Sequence, residues 1–395
     1  MPRTFFYIDH NFQENGQMTH PLADSPDFLF TGCQVGAEAA LKVELARHWP
    51  AFRFAFSRPG FLTFKLPIGF PADADFDLRS TLARCSGRSY GKVESASLAE
   101  RVDALRDFKD HHATRYIHVW HREMTPTPER GRGSERLTQA VTEAVSAIRE
   151  VDDTCIVNEI THPGALVADC ILVEPDQWWF GLHWANSVCA RWPGGNYPVE
   201  MPERAVSRAY IKLAEALAWS RMPLHRNDVC VELGSAPGGS SQFLLERGLR
   251  VIGIDPAEMH TDVLAHSNFQ HRRCRGRDLK RREFQGIRWL FADSNVAPQH
   301  ILDTVEDIVT HSLVNVHGML LTLKLPDWNL VSDLPAYMAR IRGWGYAYVK
   351  ARQLSQGGQE VCVFALRRRS TLRRPNKSKP AQQRQGPRAS VDQQP

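Results

Sequence analysis

The sequence lacks the features that mark membrane proteins, secreted proteins and structural zinc proteins. No apolar run in its 395 residues approaches the roughly 18–20 residues that a membrane-spanning helix requires. Residues 1–10 contain neither the apolar core nor the small-residue cleavage site of a signal peptide. The eight cysteines form no CxxC pair, so we expect buried free thiols rather than disulfides or a zinc site. These absences predict a cytoplasmic protein with no metal and no membrane contact.

Two phosphate-binding motifs are also absent from the glycine-rich segment at residues 229–256, VCVELGSAPGGSSQFLLERGLRVIGIDP. The segment predicts a strand, a Gly/Pro-rich turn, a helix and a second strand that ends in Asp255. This order is typical of a doubly wound α/β domain, whose ligand lies beyond the carboxyl ends of the strands. The turn has neither the GxGxxG spacing of dinucleotide-binding proteins nor the Gly-Lys-Ser/Thr ending of a P-loop. The pattern therefore favours a ligand with an adenosine end and no pyrophosphate, such as S-adenosyl-L-methionine.

The positive charge of the chain is concentrated at one end. The formal net charge is +5, but residues 367–395 contain nine Lys or Arg and a single Asp, which leaves the rest of the chain near −3. This tail has almost no apolar residues, so we expect it to be disordered. It would serve either as a nonspecific arm on nucleic-acid phosphates or as a solubilising extension.

The length predicts two or three domains before the tail. Residues 1–76 predict a helix packed on a small antiparallel sheet of ferredoxin-like type. Its elements are a helix at 37–48 and strands at 28–32, 52–56 and 61–66. Residues 77–200 predict a second mixed region, with helices at 98–108 and 135–151 and strands at 116–120, 166–173 and 178–183.

Residues 201–366 alternate strands and helices, which predicts a Rossmann-like α/β domain with a mostly parallel, seven-stranded sheet covered on both faces. The predicted strands are 229–233, 251–255, 270–275, 289–293, 319–325, 346–351 and 361–366. The predicted helices are 205–219, 240–247, 300–311 and 334–342. The last two strands lie close in sequence, so we expect them to form an antiparallel hairpin.

The glycine-rich turn supplies the candidate cofactor-binding residues. Its glycines let the backbone pass close to a ligand, and Pro237 makes the turn rigid. Asp255 is placed either to accept hydrogen bonds from ribose hydroxyls or to cap the following turn. Asp278 would reach an adenine amino group or remain a solvated loop acid. The predicted cofactor-binding residues are Glu232, Gly234, Ser235, Ala236, Pro237, Gly238, Gly239, Asp255, Asp278 and Asp293.

Polar residues at three later strand ends are the candidate catalytic groups. Asp293 follows an apolar strand, Lys324 lies within one, and Glu360 opens the last strand. A buried lysine is costly to keep charged and is usually paired with acids, so the three form either a structural ion pair or a reactive site. Lys212 lies beside the packing stripe of the helix before the first strand, where a solvated lysine is the ordinary alternative.

These motifs together resemble the FtsJ-type RNA ribose 2′-O-methyltransferases. The matching stretches are SRAYIKLAEAL, VCVELGSAPGGSSQFL, RVIGIDP, FADS, TLKLP and QEVCVF, over about 160 residues. The resemblance implies S-adenosyl-L-methionine as cofactor and a catalytic Lys-Asp-Lys-Glu tetrad at Lys212, Asp293, Lys324 and Glu360. The sequence departs from the family pattern in two places: Glu232 replaces a common Asp, and Ser240 replaces a common Trp.

The N-terminal half is similar to that of the bacterial large-subunit rRNA cytidine 2′-O-methyltransferases. The stretches GCQVGAEA at 32–39 and FGLHWANS at 180–187 carry this resemblance. It implies a THUMP-like RNA-binding region at 77–200 and a cytidine of 23S rRNA as the substrate. Three alternatives stay open: another RNA such as tRNA, a noncatalytic RNA-binding protein with a vestigial pocket, and a small-molecule methyltransferase.

Basic and aromatic residues are the candidate RNA contacts, because unpaired bases stack on planar side chains while Lys and Arg bind phosphate. Trp178 and Trp179 would either stack on bases or belong to the core. The basic candidates are Arg208, Arg272, Arg273, Arg275, Lys280, Arg281 and Arg282. The sequence makes no prediction of oligomeric state.

Overall fold

The computed structural model describes residues 5–6, 28–71, 76–124 and 131–367. The predicted basic tail lies outside the described residues from position 368 onward. The eight cysteines are free thiols: five are buried and three are half-buried, as the sequence predicted. Among the described residues, no helix is long and apolar enough to cross a bilayer.

The N-terminal part folds around one mixed sheet. In the described ranges its helices are α1 (Glu38–His48), α2 (Leu98–His111) and α3 (Gly131–Val151). Its strands are β1 (Phe5–Phe6), β2 (Phe28–Gly32), β3 (Arg53–Arg58), β4 (Phe61–Lys65), β5 (Cys85–Glu94), β6 (Tyr116–His121), β7 (Ile156–Val157), β8 (Leu166–Glu174) and β9 (Gln177–Trp184). The strand order is β3-β4-β2-β5-β9-β8-β6-β7, with β1 paired to β5.

Strand β5 joins the two N-terminal segments that the sequence analysis separates at residue 76. It pairs antiparallel with β2 on one side and with β9 on the other. The sequence analysis did not predict this strand, whose serines and glycines give it little apolar pattern. One continuous sheet therefore runs across the predicted boundary.

The face of this sheet under α2 and α3 is apolar. Phe108 and Ile148 of the two helices pack against Cys170 and Phe180 of the sheet. Trp178 is fully buried in the same cluster and Trp179 is 3% exposed on the opposite face. Both tryptophans therefore belong to the core and cannot stack on RNA bases in this structure.

The C-terminal part is an α/β domain, as predicted. Its helices are α4 (Ala209–Ser220), α5 (Gly239–Glu246), α6 (Thr261–Leu264), α7 (Pro298–Val309) and α8 (Leu334–Gly343). Its strands are β10 (Val229–Leu233), β11 (Arg250–Ile254), β12 (Phe269–Arg272), β13 (Trp289–Ala292), β14 (Gly318–Lys324), β15 (Tyr348–Arg352) and β16 (Glu360–Leu366).

These strands form a seven-stranded sheet of order β12-β11-β10-β13-β14-β16-β15. The first five are mutually parallel, and β16 lies antiparallel between β14 and β15. The central strands are buried and largely apolar, with Glu232 and Lys324 as the charged exceptions, because helices cover both faces. This order brings the carboxyl ends of β10, β11, β13 and β14 to one edge, where ligands bind in such sheets.

The two parts of the molecule share a core and a polar contact. The cluster that contains Leu302 and Ile341 of the C-terminal domain continues into Leu41 and Leu62 of the N-terminal part. At the end of β15, the Arg352 Nη2 atom donates to the backbone carbonyls of Arg84 and Gly195, each at 3.0 Å. The edge strand β15 is therefore fixed against the N-terminal part.

Candidate active site

The glycine-rich loop packs closely against the strand end that carries Asp293. Gly234 has a φ of +78°, and a Cβ there would lie 2.5 Å from the Asp293 carbonyl oxygen. A Cβ at Gly239, the first residue of α5, would lie 2.3 Å from the Ser207 hydroxyl oxygen just before α4. Both positions require glycine, because any side chain would displace the loop from β13 or from α4.

Asp255 supports this loop from the end of β11. Its carboxylate accepts hydrogen bonds from the Ala236 backbone N–H at 3.1 Å and the Ala257 backbone N–H at 2.8 Å. The acid thus links the glycine-rich loop to the turn after β11 and caps that turn.

Glu232 is buried directly beneath the loop. Its side chain accepts a hydrogen bond from the Ser241 hydroxyl of α5. Burial raises the pKa of Glu232 to about 8, and the nearby carboxylates of Asp293 and Asp255 add to the rise. Burial therefore favours the protonated form of Glu232 at neutral pH.

Asp278 lies on a separate turn from the glycine-rich loop. It ends the turn Gly276–Asp278 after β12, where its side chain accepts a 3.3 Å hydrogen bond from the Arg275 backbone N–H. The side chain is 55% exposed. A contact from Asp278 to adenine stays a prediction.

The fold brings the four predicted tetrad residues together. Lys212 comes from α4, Asp293 follows β13, and Lys324 and Glu360 are directly opposite each other in the β14–β16 register. The tetrad thus combines one helix with three adjacent strands at the carboxyl edge of the sheet. The contacting residues lie between 31 and 148 positions apart in sequence, and three of them meet because β13, β14 and β16 are neighbours in the sheet.

Each lysine of the tetrad contacts both acids. The Lys212 Nζ atom lies 3.0 Å from Glu360 Oε1 and also contacts Asp293 Oδ2. The Lys324 Nζ atom lies 3.3 Å from Asp293 Oδ1 and also contacts Glu360 Oε2. The Lys324 side chain is 26% exposed, more than the other three, so it is the member that a substrate reaches most readily.

The electrostatic environment favours the charged forms of two tetrad residues. Burial alone would lower the pKa of Lys324, but the Asp293 and Glu360 carboxylates outweigh it and raise the pKa above the ordinary lysine value. Burial alone would raise the pKa of Asp293, and the two lysines outweigh it and lower that pKa. The two acids therefore favour the ammonium form of Lys324.

Glu215 is a candidate positioning residue that the sequence analysis missed. It lies three positions after Lys212 on α4 and is fully buried. Its carboxylate accepts hydrogen bonds from the Ser355 backbone N–H (2.8 Å), the Ser355 hydroxyl and the Gln356 backbone N–H (both 2.9 Å). It therefore fixes α4 to the β15–β16 turn that leads into Glu360. An acid within the apolar stretch around Leu213 was the available signal.

The predicted basic RNA contacts lie outside the tetrad. Arg208 is exposed one helical turn before Lys212. Arg273 pairs with Glu258 at 3.3 Å and Arg281 with Asp307 at 2.8 Å. The remaining candidates are exposed: Arg272, Arg275, Lys280 and Arg282. Across the described ranges, no group of three or more His, Cys, Asp or Glu side chains is arranged to hold a metal ion.

The sheet order, the glycine-rich loop and the helices on both faces define an α/β methyltransferase fold. Residues 205–319 match the model of the FtsJ-like methyltransferase family, which confirms the resemblance for that stretch.

Two proteins with sequences similar to this chain have the same name, ribosomal RNA large subunit methyltransferase M. The protein from Laribacter hongkongensis is 30% identical over 194 residues, which are 47% of this chain and 54% of the relative. The protein from Thauera aminoaromatica is 31% identical over 191 residues, or 46% and 51% of the two chains. The chain thus spans about half the length of the relatives it matches.

Proposed function

We propose that the protein is an S-adenosyl-L-methionine-dependent RNA ribose 2′-O-methyltransferase. The observation that carries the proposal is the closed cluster of Lys212, Asp293, Lys324 and Glu360 beside the glycine-rich loop. A structural ion pair requires two residues, whereas this cluster places a partly exposed ammonium group next to a cofactor-type loop. Such an arrangement suits chemistry on a hydroxyl group.

The residues around the loop fit the proposed cofactor. S-adenosyl-L-methionine is a sulfonium cation with an adenosine end, and when bound it supplies the methyl group. Two acids, Asp255 and Asp293, lie beside the loop and complement a positive ligand. The backbone of residues 234–239 would hold the amino-acid end, Asp255 the ribose, and Asp278 the adenine.

Lys324 would act on the ribose 2′-hydroxyl as a charged group. Because its ammonium form is favoured, we infer that it orients the 2′-oxygen and stabilises the negative charge that develops there. On transfer of the methyl group, the bond from sulfur to methyl would break as the methyl–oxygen bond forms, the electron pair would return to the sulfur, and the hydroxyl proton would leave to water. In-line positioning would lower the remainder of the barrier. Asp293, Glu360 and Lys212 hold Lys324 in place and keep the cluster electrically balanced.

The proposed substrate is a cytidine of large-subunit (23S) rRNA, which places the protein in the cytoplasm. The names of the two relatives support the rRNA substrate. We further propose that residues 1–76 are a ferredoxin-like domain and residues 77–200 a THUMP-like RNA-binding region. The observed order of β2, α1, β3 and β4 supports the first assignment.

The proposal is tested by incubating the protein with labelled S-adenosyl-L-methionine and unmodified 23S rRNA, followed by mapping of 2′-O-methyl groups. We expect one methylated cytidine. Label in tRNA but not in rRNA would contradict the substrate, and no label in any RNA would contradict the activity. Cofactor binding measured by calorimetry in parallel tests the pocket independently of the RNA.

A further inference from the structure

A large cleft separates the N-terminal part from the edge of the C-terminal sheet. Its volume is about 930 Å³. One wall is formed by residues 76–88 and 182–194, and the other by the end of α4, the end of α8 and the strand β15. None of the tetrad or glycine-rich-loop residues lines it, so it is a second site.

The described lining of this cleft is strongly basic. It contains seven Lys or Arg residues and a single acid, Asp77. On the C-terminal wall, Arg221, Arg342 and Lys350 are exposed, and none of them forms an ion pair with an acid of the described residues. The cationic lining residues are Arg79, Arg84, Arg88, Arg221, Arg342, Lys350 and Arg352.

The floor of the cleft also keeps positive charge. Arg352 is buried, and its Nη2 atom donates to two backbone carbonyls, while its Nε atom has no hydrogen-bond partner among the described residues. Arg84 is buried beside it and pairs with Glu123 at 2.9 Å, but its Nε and Nη2 atoms find no partner in the described part of the chain. Two guanidinium groups beneath an acid-poor surface create a field that attracts anions.

Aromatic rings alternate with these cations. Trp184 is 39% exposed on the N-terminal wall. Trp219 and Tyr348 are half-buried on the opposite wall, where both rings pack edge-on against Phe364. Phosphate-binding cations interleaved with stacking rings are the combination that holds single-stranded nucleic acid.

The cleft lies within a few nucleotides of the tetrad. Helix α4 carries Lys212 in its first turn and Trp219 in its last, about 10 Å apart at 1.5 Å per residue. Strand β16 likewise connects Glu360 to Phe364 in the cleft, about 13 Å away at 3.3 Å per residue. The tetrad and the cleft are therefore only roughly 10–13 Å apart along these two elements.

We propose that this cleft binds a single-stranded segment of the RNA substrate that flanks the methylated nucleotide. The inference rests on the proposed function, because it assigns the RNA-binding surface of the same reaction. It assigns RNA binding to Arg342 and Lys350, which lie outside the sequence motifs, and to Trp184 of the stretch FGLHWANS. Phosphates would contact the exposed cations, and bases would stack on the exposed tryptophan.

The test compares two double variants in RNA binding and in turnover. Arg342→Ala/Lys350→Ala removes two cations of the cleft. Arg53→Ala/Lys65→Ala removes two exposed cations that face each other across β3 and β4, outside the cleft, and is the matched control. Binding of a fluorescent single-stranded oligoribonucleotide from the methylated region is measured as a function of salt, together with methyl-transfer kinetics.

For the cleft variant we expect RNA affinity to fall about tenfold and the slope of log K against log[salt] to decrease by about 1.4, since each lost single-strand phosphate contact contributes about 0.7. The KM for RNA should rise with kcat and cofactor affinity unchanged. Trp184→Ala should weaken binding with an unchanged salt slope, because stacking is not ionic. Wild-type affinity and slope in the cleft variant, or equal losses in the control, would overturn the inference. An absence of methylation by the wild type would instead overturn the proposed function.

Discussion

The tetrad and the cleft both present cations to the solvent, but they differ in how many acids balance those cations. In the tetrad, two lysines are matched by two acids, and each lysine contacts both. In the cleft, seven cations share one lining acid. The tetrad is nearly neutral, whereas the lining of the cleft has many more cations than acids and keeps a net positive field.

This difference separates catalysis from binding within one molecule. A matched cluster fixes one ammonium group in position, which is what a reaction at a single oxygen atom requires. An unmatched surface attracts a polyanion over several contacts and depends on salt. Helix α4 carries both, with Lys212 near its start and Trp219 near its end, so the two sites are held at a fixed separation.

The largest expected effect is the loss of turnover when the Lys324 ammonium group of the tetrad is removed. We expect Lys324→Ala to lower kcat by about 10³-fold or more, since it removes the group that stabilises the developing charge. Cofactor affinity and RNA affinity should stay within about twofold of wild type. Radiolabel transfer and calorimetry measure these quantities, and Lys65→Ala, an exposed lysine on β4, is the control. Turnover near the wild-type rate would exclude the assigned role.

The second-largest expected effect is a loss of cofactor affinity when the close contact between the glycine-rich loop and β13 is disturbed. Gly234→Ala places a Cβ 2.5 Å from the Asp293 carbonyl oxygen at a positive φ, so we expect cofactor affinity to fall about 10–100-fold. Gly286→Ala is the matched control, because it has a φ of +80° with open space around the added atom. Both variants carry the backbone strain, of order 1 kcal/mol, but only the first displaces the loop. Equal cofactor affinities in the two variants would show that the close contact of Gly234 with the Asp293 carbonyl is not required for cofactor binding.

A variant of Glu215 tests the tetrad separately from the cleft, because Glu215 supports the tetrad and is not among the residues that line the cleft. Glu215→Gln retains the shape but weakens three charge-assisted hydrogen bonds to Ser355 and Gln356. We expect kcat to fall about tenfold with the KM for RNA and the RNA salt slope unchanged. Steady-state kinetics and the oligoribonucleotide titration measure both. A rise in KM without a change in kcat would assign Glu215 to binding rather than to tetrad positioning.

The sequence predicted the C-terminal domain more completely than the N-terminal part. Buried strands appear in the sequence as unbroken apolar runs. Three tetrad residues, Asp293, Lys324 and Glu360, lie at the ends of such runs, so they were visible as anomalies. The strand β5 has no such pattern, and the pairing of β5 with β2 and β9 is a long-range event that no local signal specifies.

The cleft could not be predicted because it exists only between the two parts. Arg342, Lys350 and Trp184 are 158 or more positions apart across the two walls, and each alone reads as an ordinary surface residue. Trp178 and Trp179 attracted attention as a pair, yet alternation in β9 sends them to opposite faces of the sheet, both buried. Tertiary packing, not composition, decided which tryptophan is exposed.

The smallest expected effect is on the thermal stability and concerns Glu232, a buried acid that forms no ion pair with a cation of the described residues. Because burial raises its pKa to about 8, the folded protein holds a proton there that the unfolded chain releases near pH 4.5. Stability from this group is therefore complete below about pH 4.5 and is lost as the pH rises towards and through 8. We expect the melting temperature of wild type to fall by a few degrees relative to Glu232→Gln between pH 5 and 8.5. Calorimetric scans at matched ionic strength measure the difference. If the melting temperatures of the two proteins changed with pH in parallel, Glu232 would be ionised in the folded protein. A cationic ligand would then meet a carboxylate that is already charged, and no proton would have to leave Glu232 on binding.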